Sequence, residues 1–109
     1  MRKATPRFPK ARLDALIEQA TTDAYGDGEQ IAGFLASLQD ELKTPFTVRL
    51  FGLDVEVVGV EDGYRDDVVA MCRNRQGALR VPVLELPVPD PLPEGWEWVE
   101  AFRKWSGPS

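Results

Sequence analysis

The sequence predicts an α+β fold: an N-terminal helical hairpin, a small SH3-like antiparallel β-barrel and a C-terminal helix. Three observations carry this reading. Apolar residues recur at helical spacing between Leu13 and Leu42, alternate with polar ones between Phe46 and Leu86, and return to helical spacing around Trp98 and Trp105.

The first helix is marked by Leu13, Leu16, Ile17, Ala20 and Ala24, an i, i+3, i+4, i+7, i+11 stripe. Gly26-Asp27-Gly28 then reads as a turn, with Asp27 as N-cap of a second helix. That helix repeats the stripe with Ile31, Phe34, Leu35, Leu38 and Leu42, and Pro45 stops it, because proline disfavours helix at the residue before it. Period two follows. FTVRLFG and LDVEVVGVE read as strands, the second with Val55 and Val57 facing inward and Asp54 and Glu56 outward. DDVVAMCRN and ALRVPVLEL form a further pair around RQG, a hairpin signal with glycine at the turn. Four or five short strands with tight connections suggest the barrel. The proline-rich LPVPDPLPEG leads to a last helix, WEWVEAFRKW, in which Trp98, Ala101, Phe102 and Trp105 share one face as core. Residues 1–12 are expected to be a flexible basic tail and 13–109 a single domain.

Charge is distributed unevenly. Five of the 13 basic residues stand in positions 1–12, which hold no acid, leaving eight against all 18 acids. An acidic body of that kind repels nucleic-acid phosphates and attracts cations. No apolar run approaches the roughly 20 residues of a membrane span, and the N-terminus lacks the apolar stretch of a secretory signal. A single cysteine, Cys72, leaves no internal disulfide and reads as a buried small hydrophobe; a cytoplasmic setting fits best.

The donor inventory narrows the chemistry. The chain has no histidine, which removes the usual general base, every Ser-His-Asp or Cys-His arrangement and most zinc geometries. Carboxylates remain in number, and oxygen donors suit hard cations such as Ca²⁺. They cluster as Asp23/Asp27/Glu29, Asp40/Glu41, Asp54/Glu56, Glu61/Asp62 and Asp66/Asp67. DAYGDGEQ, at Asp23–Gln30, imitates the start of an EF-hand loop but fails it. With Asp23 first, Asp27 and Gly28 fall correctly at loop positions 5 and 6, yet Tyr25 takes position 3 and Phe34 the closing position 12.

Asp40 and Glu41 are the most informative pair. They stand in the last turn of the second helix, where the macrodipole disfavours acids by about 0.3–1 kcal/mol. Lys43 offsets part of that liability, and a bound cation would reverse it, with free helix-end carbonyls as further ligands. Asp54 and Glu56 alternate onto one strand face within reach of a shared ion, and EDGYRDD is an acidic hairpin tip. Asp14, far along the first helix, is expected to affect neither affinity nor stability.

The run DAYGDGEQIAGFLASLQDELKTPFTVRLFGLDVEVVGV, followed by RVPVLEL and the tryptophan-bearing helix, resembles the CcbP-type calcium-binding proteins of bacteria. The resemblance spans roughly Leu13 to Trp105 and is most specific in DAYG and ELKTPFT. It implies a non-EF-hand, non-enzymatic protein that buffers or senses cytosolic Ca²⁺ through clustered surface carboxylates. Asp23-Ala24-Tyr25-Gly26 stands as in that family, Glu29-Gln30 matches its EQ, and Asp40 falls on the aspartate of its LED. Gln39 replaces the family's glutamate, and Gly63, Tyr64 and Arg65 interrupt its acidic tract, which implies one site kept and another weakened. Other classes of function compete. A protein-interaction module on the barrel, with an unidentified protein partner and incidental metal binding, is the alternative. A glycosidase with paired carboxylates is a distant third, since so short a chain leaves little room for a sugar cleft.

Overall fold

The computed structural model describes residues 8–63 and 67–107. Most of the expected basic tail, residues 1–7, lies outside them, and Lys10 and Arg12 stand in the first turn of α1 (Lys10–Thr21). That helix ends where the hydroxyls of Thr21 and Thr22 turn back onto the carbonyls of Ile17 and Glu18, at 2.8 and 2.6 Å. Such back-bonding competes with helix continuation. α2 runs Asp27–Glu41. The two helices approach closely at Gly33, where a Cβ would collide with the carbonyl of Ala20.

Four strands follow: β1 (Phe46–Leu50), β2 (Leu53–Asp62), β3 (Val68–Asn74) and β4 (Gly77–Pro82). Each pairs antiparallel with the next, in spatial order β1-β2-β3-β4. This is an open meander and not the closed SH3-like barrel the strand count suggested: among the described residues β1 and β4 form the two edges. ALRVPVLEL does not continue as strand either. Beyond Pro82, which lacks the donor a ladder needs, Val83–Glu85 winds into a 3-10 turn. α3 occupies Trp96–Ser106.

The helices cover one face of the sheet. Leu16, Ala20, Phe34, Leu38, Leu42, Trp96, Val99 and Phe102 pack against Val48, Val55, Val57, Val60, Val68, Ala70 and Cys72, all buried. The alternation of β2 is as expected: Val55 and Val57 are buried while Asp54 is exposed. Cys72 sits in this core, and burial pushes its thiol pKa up. Trp98, Ala101 and Phe102 are likewise core, and Trp105 packs on Phe34 and Phe102 at ring-centroid distances of 5.3 and 6.1 Å. Arg103 donates to the Leu84 carbonyl at 2.7 Å, tying α3 to the 3-10 turn. No helix among the described residues is long and apolar enough to cross a membrane.

Candidate metal centre

The candidate carboxylates fall at three separate places. Asp23, Asp27 and Glu29 line the connection into α2, Asp40 and Glu41 end that helix, and Asp54 and Glu56 begin β2. Asp27 and Asp40 are thirteen residues apart on one helix, about 20 Å along its axis, so the two ends of α2 cannot share an ion. Among the described residues no three of the Cys, Asp and Glu side chains converge into a group that could hold a metal.

At the entry to α2 the backbone does the turning. Asp23 adopts φ 62° and Gly26 φ 92°. Gly26 is the N-cap, so Asp27 opens the helix as its first residue and is not the cap the sequence suggested. Glu29 reaches back to accept the Tyr25 N–H at 2.8 Å, a capping-box-like bond that satisfies a donor just outside the helix. Asp27 and Glu29 both sit in the first turn, where the helix dipole favours negative charge. Their placement has a structural cause.

The exit from α2 lacks one. Its last turn holds no basic residue, and the side chains of Asp40 and Glu41 are exposed, without ion pair or hydrogen bond among the described residues. Lys43, just past the helix end, makes no ion pair with either acid among the described residues, and its backbone N–H donates to the Glu94 carbonyl at 2.9 Å. The helix-end carbonyls are less free than expected: Leu38 accepts from the Leu42 N–H, and the Glu41 carbonyl packs on the backbone of Gly95. Beside them the Gln39 amide donates to the Val60 carbonyl of β2 at 3.1 Å. Gln39, Thr44, Gly59 and Val60 line a small cleft of about 130 Å³ there, next to the irregularity in the β2–β3 register between Val57 and Gly59.

The strand acids are spent on arginines. Asp54 pairs with Arg49 at 3.3 Å across the β1–β2 hairpin, and Glu56 with Arg73 of β3 at 3.0 Å. Glu61 is held by Arg80 of β4 at 2.7 Å. In EDGYRDD, Asp66 lies outside the described residues, while Asp67 accepts the Val68 N–H at 2.8 Å.

Topology adds one juxtaposition that no sequence spacing signals. Asp27 and Asp67, forty positions apart, line the same cleft of about 400 Å³, walled by Ile31, Leu84, Phe102, Trp105 and Ser106. Only the packing of α2 and α3 beside the β2–β3 connection brings them together. Away from these sites, Asp14 bridges Lys10 at 2.9 Å and Lys104 of α3 at 3.2 Å, and those two ammonium groups hold its carboxyl pKa below the usual range.

Comparison with known proteins bears on the fold. No protein-family model matches the chain, and no curated protein sequence does. Among solved structures it is similar to Anabaena CcbP, with a TM-score of 0.71 at 16% identity over 95% of each chain. At that identity the likeness establishes a shared fold, from the first helix to the last.

Proposed function

We propose that this chain is a non-enzymatic Ca²⁺-binding protein that buffers or senses cytosolic Ca²⁺, with the carboxylates closing α2 at its principal site. The observation that carries the reading is the contrast among its acids. Glu29 caps a turn, and Asp54 and Glu56 are paired with arginines, whereas Asp40 and Glu41 end a helix against its dipole with no ion-pair partner among the described residues. Asp40 is also the residue that falls on the aspartate of the family's LED. The whole-length likeness to Anabaena CcbP supports the reading from a separate direction.

The surroundings suggest how an ion there would act on the rest of the molecule. The last turn of α2 is joined to β2 through Gln39 and Val60, and to the entrance of α3 through Glu41 and Gly95. A divalent cation would remove the repulsion between the helix end and its two carboxylates and stiffen both junctions. Binding to the native state alone stabilises by RT ln(1 + [L]/Kd), about 2.7 kcal/mol at a hundredfold excess over Kd. Thermal unfolding in CaCl₂ and in NaCl of matched ionic strength tests the proposal. The midpoint should rise with Ca²⁺ well beyond the NaCl shift; equal shifts would reduce the effect to screening of an acidic surface.

A further inference from the structure

Separate from the calcium reading, the open end of the sheet carries a residue that stability does not account for. Leu50 and Leu53 close the β1–β2 hairpin as a pair, leaving Phe51 and Gly52 as a two-residue turn with φ 53° and 78°. Turns with both central residues at positive φ favour Asn-Gly or Asp-Gly, and a bulky residue there is strained. Phe51 gains nothing in return within the chain, since its side chain is 95% exposed. A strained, solvated phenyl ring is best explained by a contact outside the molecule.

Its neighbours extend the patch. Leu53 and Leu79 are 50% and 39% exposed, and with Phe51 they make three of the six exposed large apolar side chains among the described residues. All three line one groove of about 250 Å³ with Leu50 and Val55, at the margin of the core. The charges beside it are mixed. An adjoining groove is lined by Asp54, Glu56, Arg73 and Arg75, and Arg75 has no ion-pair partner among the described residues.

We propose that this end of the sheet is a self-association surface, on which Phe51 of each copy docks into the Leu53–Leu79 groove of a second copy about a twofold axis. Charge selects that occupant. A twofold contact meets its own patch, so the exposed Asp54–Arg49 and Glu56–Arg73 pairs can exchange partners across the axis and Arg75 can face the carboxylates of the second copy. An anionic membrane is disfavoured at this patch, because among the described residues lining it Arg75 alone is an unpaired cation, contributing only about 1 kcal/mol. Area sets the strength. The exposed parts of the three side chains amount to roughly 350 Å² per copy, so a dimer would bury about 700 Å² of apolar surface plus a polar rim. That falls below the roughly 1,200 Å² of stable interfaces, in the class of transient contacts, and predicts a weak, reversible dimer with Kd of roughly 10⁻⁵ to 10⁻³ M.

Sedimentation equilibrium of the full chain from about 10 μM to about 1 mM, in EDTA, tests this without reference to Ca²⁺. The weight-average mass should climb from monomer toward dimer. Phe51→Asn should weaken association tenfold or more while raising the thermal midpoint of the dilute protein, because asparagine suits the turn. Leu79→Thr, which keeps a strand-compatible side chain, should weaken association too. A monomer at every concentration would overturn the proposal, as would a dimer indifferent to Phe51→Asn. Binding of the monomeric wild type to phosphatidylserine vesicles that Phe51→Asn abolishes would overturn it in favour of a lipid contact.

Discussion

The side-chain amide of Gln39 donates to the main-chain carbonyl of Val60, 3.1 Å away, and so fastens the last turn of α2 to β2 beside the register shift at Gly59. An amide suits that position in the ion-free protein, because a carboxylate there would face a carbonyl oxygen of like partial charge. In the family that the sequence resembles, the residue is glutamate.

Gln39→Glu therefore separates two effects. The metal-free protein should lose about 1–2 kcal/mol, the hydrogen bond plus the repulsion that replaces it. Ca²⁺ affinity should rise about tenfold, or 1.4 kcal/mol, as a cation comes to sit between the two oxygens. Urea unfolding in EDTA measures the first and calorimetric titration the second. A loss of stability with no gain in affinity would place the ion elsewhere.

Asp40→Asn keeps the shape and one oxygen of the side chain while removing its charge. Affinity should fall tenfold or more, with metal-free stability unchanged or slightly higher because the conflict with the helix dipole is relieved. Glu18→Gln serves as control, since that side chain has no ion pair or hydrogen bond among the described residues. Unaltered affinity with lowered stability would make Asp40 a structural residue.

The junction of α2 with α3 gives a prediction in stability alone. Gly95 has φ 91°, and a Cβ on it would strike the Glu41 carbonyl and the Leu42 backbone. Gly95→Ala should cost about 2–4 kcal/mol, since neither neighbour is a side chain that can swing aside. Gly26, with φ 92° and ψ 160° but open space around its missing Cβ, should lose less on the same change, from backbone strain alone. Equal losses would mean that strain and not the contact governs both.

Asp14 supplies a pH-dependent tie between helices. Lys10 and, on α3, Lys104 hold its carboxyl below the ordinary range. A lowered folded-state pKa contributes stability that is present above the unfolded value and is lost as pH falls through the folded one. Asp14→Asn should thus lower the thermal midpoint slightly near neutrality, and the gap to wild type should close as pH falls below the ordinary carboxylate value of about 4. A gap that persisted in acid would assign the effect to packing. Sequence alone assigns Asp14 no role, because its second partner lies ninety positions away and is brought near only when α3 packs on α1.

Asp14 illustrates what the sequence could and could not carry. Periodicity located the strand and helix faces well, because burial of Val55, Val57 and Cys72 follows from alternation against one apolar layer. It misjudged the closure of the sheet, since whether β1 meets β4 is a question of twist and curvature that no local pattern encodes. The strand reading ran past Pro82 for a related reason: VPVLEL alternates correctly, yet the chain turns into the 3-10 segment. Among the acids, the sequence singled out the helix-end pair by the dipole argument. The arginines that occupy Asp54 and Glu56 depend on strand register, and the meeting of Asp27 with Asp67 depends on topology.

The most direct test of the central claim is isothermal titration of the EDTA-treated, dialysed protein with CaCl₂, followed by MgCl₂. The account predicts a saturable Ca²⁺ isotherm with Kd between roughly 10⁻⁶ and 10⁻³ M, the range expected of carboxylate clusters without a closed cage. A trace that stays flat into millimolar Ca²⁺ would contradict it.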